Sequence, residues 1–241
     1  MALPDVTTAA SRREEMLVLG ARALQGRKTV LVGIGQPNLA AALGKCLYEP
    51  DLIMLYESGI IDGGSEKLAL SIGDPALVKG AAGICSMFEL FAYYLGGRRI
   101  DAGFVSAAQI GRAGDINTTV IGTYADPTVR LPGSGGASDI ALLVSELLVM
   151  MPHEKRRFPE TVDFVTSSAG KAMTVITDLA TLAMTHGELV VTAIRRGVTR
   201  GQIQAETGWP VRFAQPLGST PPVTADELAT VRRLDKDGFY S

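Results

Sequence analysis

Residues 52–64, LIMLYESGIIDGG, hold the side chain best placed for covalent chemistry. Residues 52–56 are an apolar run of strand length, ending in one carboxylate, Glu57, with Ser58-Gly59 directly after it. A strand buried on both faces is a rigid mount, and the turn after it is where a parallel α/β sheet opens onto a crevice. A carboxylate there is either a nucleophile or base, or an ionic anchor for the turn. A second stretch, 131–139 (LPGSGGASD), places Gly133, Gly135, Gly136 and Ala137 directly before an apolar helical segment, 140–144. Three glycines in four positions make a flexible arch whose amides can converge on a negative oxygen, helped by the helix N-terminus. The plainer reading is a tight turn with a capping Ser or Asp.

On one crevice, these two stretches permit a specific reaction. A carboxylate is ionised at neutral pH and attacks an activated acyl group without a general base, given an oxyanion hole and a good leaving group. A thiolate leaving from a thioester meets the second requirement. Its return onto the mixed anhydride converts the protein carboxylate into a protein thioester, and a second acid reverses the sequence.

The elements that must hold these residues are legible in outline. A helix capped by Thr7 or Thr8 runs to about Gln25, with Gly26 at its end. A strand at 29–32 enters the turn Gly33-Ile34-Gly35-Gln36-Pro37, and a helix follows at 38–47. That unit is similar to the opening of a dinucleotide fold, but Asn38 occupies the place of the third glycine. Residues 86–95 read as a helix with Met87, Leu90, Phe91, Tyr94 and Leu95 on its apolar face. Strands at 102–110 and 116–121 are expected to form a hairpin. A strand at 147–151 runs into the charged segment 153–158, HEKRRF, which is either a solvated turn, an anion site or a contact for acids of a partner chain. Strands at 173–178, 182–184 and 189–193 follow, with His186-Gly187-Glu188 as a hairpin turn. A capped helix at 199–207, Trp209 as a packing anchor and a helix at 224–234 opened by a capping box complete the chain.

At 241 residues and 46% hydrophobic content the chain can bury a large core, and no linker divides it, so residues 1–241 are expected to form one domain. A net charge of −2 directs it neither to nucleic acid nor to an anionic membrane. With no signal pattern and no apolar run of spanning length, a cytoplasmic location is expected. Cys46 and Cys85 are expected to be buried thiols. Two histidines, His153 and His186, far apart in sequence, give no basis for a metal site.

The sequence resembles the β subunit of glutaconate-type enzymes in the class I CoA-transferase family. The matching segments are VGIGQPNLAAALGK from Val32, Tyr56-Glu57-Ser58-Gly59, Ser71-Ile72-Gly73-Asp74, the AQI and GDINTT segments between Ala108 and Thr119, GSGGA from Gly133, HEKRRF, and DFVTS from Asp163. The segments Asp178-Leu179-Ala180-Thr181 and Gly63-Gly64-Ser65-Glu66-Lys67 depart from the family pattern. The resemblance implies an open, mostly parallel α/β sheet with flanking helices and an active site at the boundary with a separate α subunit, as αβ or α2β2. It implies that Glu57 becomes a glutamyl-CoA thioester, that Gly135 and Gly136 form the oxyanion hole with Gly133 and Ala137 beside them, and that Ser58, Gln109 and Asn117 are pocket candidates. Coenzyme A is then a substrate, as an acyl-CoA thioester exchanging with a free carboxylic acid, dicarboxylic or oxo, and no cofactor is held permanently. The alternatives are an acyl-CoA hydrolase or decarboxylase on the same scaffold, or a non-catalytic nucleotide-binding protein.

Overall fold

The computed structural model describes residues 9–63, 69, 71–168 and 172–240. In chain order its elements are α1 (Arg12–Arg22), β1 (Thr29–Leu31), α2 (Gln36–Leu47), β2 (Ile53–Leu55), β3 (Ile60–Ile61), β4 (Gly83–Ile84), α3 (Met87–Glu89), β5 (Ala102–Val105), β6 (Gln109–Ile110), β7 (Asp115–Asn117), β8 (Val120–Gly122), β9 (Pro127–Arg130), α4 (Ala137–Leu143), β10 (Glu146–Met150), β11 (Ser167–Ser168), β12 (Met173–Ile176), β13 (Ala180–Thr185), β14 (Glu188–Ile194), α5 (Arg200–Ala205), β15 (Arg212–Ser219) and α6 (Ala225–Leu234). Ten strands form one sheet in the order β15-β14-β13-β12-β10-β5-β1-β2-β3-β4. Its centre, β12-β10-β5-β1-β2, is parallel throughout. This is the open, mostly parallel α/β sheet expected from the sequence.

The central strands are short and apolar because both faces are covered. Side chains alternate across the sheet. Val30, Met54, Tyr56 and Phe104 enter a core with Met16 and Leu17 of α1, Leu39 and Leu43 of α2, and Val231 of α6. Leu31, Leu55, Val105 and Val149 enter the opposite core with Leu90, Ile140 and Trp209. Each such fully buried side chain contributes on the order of 2 kcal/mol. Helix α6 is fixed to α1 by two partly buried ion pairs, Arg22–Glu227 at 2.7 Å and Arg232–Glu14 at 2.8 Å.

Several expectations need correction. The first helix is capped by Ser11, whose side chain accepts from the Glu14 amide while Glu14 caps in return; Thr7 and Thr8 lie outside the described residues, as do Gly64, Ser65, Glu66 and Lys67. The run 102–110 is not one strand. Residues 102–105 are the central strand β5, and only β6 pairs with β7, because Ser106–Ala108 leaves the sheet to line a crevice. The segment 86–95 is helical, but after α3 it widens into a π-helix at Leu90–Leu95. That geometry buries Leu90 and Leu95 and leaves Met87 and Tyr94 54% and 36% exposed. Strand β15, with Gln215, Pro216 and Gly218, has no apolar period and was not expected. Cys46 stands exposed on α2, not buried. Among the described residues no helix is long and apolar enough to cross a membrane.

Candidate active site

The turn carrying Glu57 is closed by a hydrogen bond from the Gly59 amide to the Tyr56 carbonyl at 2.8 Å. It is clamped from outside by Cys85, whose amide donates to the Gly59 carbonyl at 2.9 Å. Gly59 has φ +88, and a Cβ there would lie 1.9 Å from the Cys85 carbonyl oxygen, so only glycine fits. Continued alternation past Leu55 and Tyr56 turns Glu57 to the face that carries α4 and the π-helix.

The glycine arch reaches the same place from the other side. Thr118 holds its first residue twice: the Gly133 amide donates to the Thr118 carbonyl at 2.9 Å, and the Thr118 hydroxyl donates to the Gly133 carbonyl at 2.8 Å. Gly133 and Gly135 take φ values of +92 and +48, which bend the chain back into α4. Gly136 then faces Glu57, such that a Cβ on Gly136 would stand 3.4 Å from Glu57 Cδ and 2.5 Å from Phe91 Cζ of the π-helix. The amides of Gly135 and Gly136 donate to no acceptor among the described residues. Helix α4 has seven residues, so free amides, rather than a long helix dipole, are what the arch offers an oxyanion.

Between them lies an open cavity of about 460 Å³ at the carboxyl ends of β1, β2 and β5, the usual ligand position in such sheets. Gly33, Ile34 and Pro37 of the first strand-to-helix turn, Glu57, Ser106, Thr118, Gly133, Ala137 and Arg157 are among its lining residues. Glu57 is half-buried and has no ion-pair partner among the described residues. Burial pushes its carboxyl above the ordinary range. An anchoring carboxylate would show the opposite, a salt bridge and a lowered pKa.

A family model described as Coenzyme A transferase matches residues 14–206. The chain belongs to the coenzyme A transferase family. The β-type subunit of 3-oxoadipate CoA-transferase from Pseudomonas knackmussii is 40% identical across 95% of this chain and 94% of that protein. The corresponding subunit of glutaconate CoA-transferase from Acidaminococcus fermentans is 36% identical across 65% of this chain and 60% of that protein. The crystal structure of the Acidaminococcus glutaconate CoA-transferase superposes with a TM-score of 0.87 at 25% identity, covering 96% of this chain and 98% of that one. The decarboxylase AibA/AibB superposes with a TM-score of 0.88 at 24% identity, covering 95% of this chain and 97% of that one, which shows a shared fold. The β-subunit-type resemblance carried by the motifs is thus borne out.

Within this family member the remaining candidates divide. Gln109 and Asn117 do not line the cavity. They are buried and spend their amides on each other, the Asn117 side chain donating to Gln109 Oε1 at 2.8 Å and Gln109 donating to Asp163 at 3.2 Å. They lock β6 and β7 behind the site. Ser58 is not in the lining either, and its Oγ is buried with no hydrogen-bond partner among the described residues. His153 stacks on Phe158 with ring centroids 4.2 Å apart, and both ring nitrogens lie 3.1 Å from the hydroxyls of Thr177 and Thr207. Three participants were not singled out from sequence: Thr118, Phe91 and Arg157. Only Arg157 left a signal, as one member of the 153–158 charge cluster.

Proposed function

We propose that this chain is the β subunit of a heteromeric CoA-transferase that moves CoA between an acyl-CoA thioester and a free carboxylic acid by way of a thioester on Glu57. The observation that carries this reading is the unpaired, half-buried Glu57 carboxylate beside the free backbone of Gly136 in an open crevice. A Glu57 oxygen attacks the thioester carbonyl, the C–O bond forms, and the C–S bond breaks as thiolate leaves. The thiolate then attacks the Glu57 γ-carbonyl, releasing the donor acid as a carboxylate and leaving glutamyl-CoA. An acceptor carboxylate repeats the two steps in reverse. No proton or electron is gained or lost over the cycle. The arch amides offer hydrogen bonds to the oxyanion at each step, and burial both raises the carboxylate's basicity and keeps water from the anhydride.

The partner in this reading is a separately encoded α subunit, in an αβ or α2β2 assembly. Two observations support a covering chain. Both relatives are named as single subunits of their transferases. Ile84, Phe88 and Tyr93 stand 65%, 69% and 61% exposed on the elements beside the arch, a patch a lone soluble chain does not ordinarily leave open. The acyl groups are expected to be dicarboxylic or oxo acids, in keeping with the glutaconate and 3-oxoadipate of those names. The test is label exchange between an acyl-CoA and a free acid by the co-expressed subunits. Exchange by the native pair and a loss of at least about 1000-fold in Glu57→Gln supports the reading, since an amide cannot attack. Exchange that survives in Glu57→Gln refutes it.

A further inference from the structure

Among the described residues, Arg157 and Glu57 are the only charged side chains that line the cavity. They do not pair with each other: no ion pair within 4.0 Å joins them, and nothing but burial displaces the Glu57 carboxyl. Arg157 reaches one acid, Glu154, through Nε at 3.3 Å, while Arg156 takes the same Glu154 oxygen at 2.6 Å. The two terminal nitrogens of Arg157 meet no acceptor among the described residues. Its seat is nonetheless rigid. Lys155–Arg157 is a single 3-10 turn, tied by the Arg157 amide to the Glu154 carbonyl at 2.7 Å and followed by Phe158, which is fully buried against His153. The cavity wall also carries apolar groups, among them Ile34, Pro37, Val105, Leu131 and Ile140.

An acyl group whose carbonyl meets Glu57 must lay its carbon chain along that apolar lining. A guanidinium fork with free donors, facing into a partly desolvated cavity, is stabilised by a planar anion that accepts two parallel N–H bonds. Resting on the CoA-transfer reading above, we propose that Arg157 is the specificity-determining residue that binds a second carboxylate, carried on the acyl group, while Glu57 attacks the first. Arg157 is not a nucleophile or proton carrier in this scheme. It sets which acids are placed for attack.

The experiment uses the co-expressed enzyme and compares succinate, glutarate and adipate, each against the straight-chain monocarboxylic acid of the same length, as acceptors. In the native enzyme the dicarboxylic acids should have the higher kcat/KM. Arg157→Leu should lower kcat/KM for them by about 100-fold and leave the monocarboxylic acids within about threefold, so the preference collapses. Arg157→Lys should restore part of it, because a point charge replaces the fork. An equal fall for both classes would overturn the proposal and assign Arg157 to a phosphate of CoA. An unchanged preference would overturn it outright. Failure of both variants to assemble with the α subunit would overturn it by making Arg157 an interface ion-pair residue. Trapping of the Glu57 adduct in the same preparations separates the two levels. An adduct with no Arg157-dependent discrimination sinks only this proposal, whereas no adduct in the native enzyme sinks the transfer reading beneath it.

Discussion

Gly136 presents bare backbone to the carboxyl of Glu57, and a methyl group at Gly136 would stand 3.4 Å from Glu57 Cδ but only 2.5 Å from Phe91 Cζ. The nucleophile candidate and the arch are therefore held at their spacing by an aromatic ring from the π-helix. Gly136→Ala should overpack the site, lower stability by about 1–3 kcal/mol, and reduce CoA exchange by about 100-fold or more, because the arch amides shift from the oxyanion position. Phe91→Leu added to Gly136→Ala should recover much of the stability. Thermal melts and exchange rates of the single and double variants check this, and additive losses would show that Phe91 is not the obstacle.

Burial raises the Glu57 carboxyl above its ordinary value, and the direction fixes two pH effects. The folded state binds this proton more tightly than the unfolded state. Stability from this group is therefore highest below the unfolded value and is lost as pH rises through the folded one. Glu57→Gln removes the penalty. It should melt higher than the native chain at neutral pH, with the gain vanishing below the ordinary glutamate range, while exchange is lost. The acid limb of the native exchange rate should have its midpoint above that same range, since only the carboxylate attacks.

At Gly59 the backbone itself is the constraint. With φ +88 and the Cys85 carbonyl oxygen 1.9 Å from where a Cβ would sit, Gly59→Ala must push β4 away or refold the turn. A loss on the order of 3 kcal/mol or more is expected, measurable by urea denaturation. A near-neutral result would mean the turn is looser than described.

His153 is buried, and burial pushes its imidazole down to about 4, with Asp178 opposing and Arg195 assisting. Its folded pKa is below the free value of about 6.5, so its contribution is complete above that value and shrinks as pH falls toward 4. By about pH 5 this group alone should have removed roughly 2 kcal/mol. Denaturation at about pH 7 and about pH 5 should show that loss in the native chain and not in His153→Gln.

The strand tip was legible because 52–56 is a continuous apolar run that a lone acid ends, and the arch because three glycines precede an apolar helix. The parallel centre followed from runs such as 29–32 and 147–151. What failed has physical causes. Ser106–Ala108 is apolar enough to extend a strand, but it leaves the sheet to wall the cavity, and sequence carries no mark of that departure. The π-helix at Leu90–Leu95 has the composition of an α-helix, so the placing of Phe91 against Gly136 was hidden. Gln109 and Asn117 matched family motifs, yet their amides satisfy each other behind the site. In HEKRRF the charges were plain, but only the 3-10 turn directs Arg157 inward while leaving Arg156 in solvent.

The central claim is covalent, so the most direct measurement is of mass. The native pair is incubated with acyl-CoA in the absence of acceptor, reduced with borohydride, digested, and the peptide spanning residue 57 is weighed. Glu57 should be reduced to the alcohol only after acyl-CoA treatment, and hydroxylamine in place of borohydride should yield the hydroxamate at the same residue. An unmodified Glu57 in an enzyme that is exchanging CoA at full rate would contradict the covalent route.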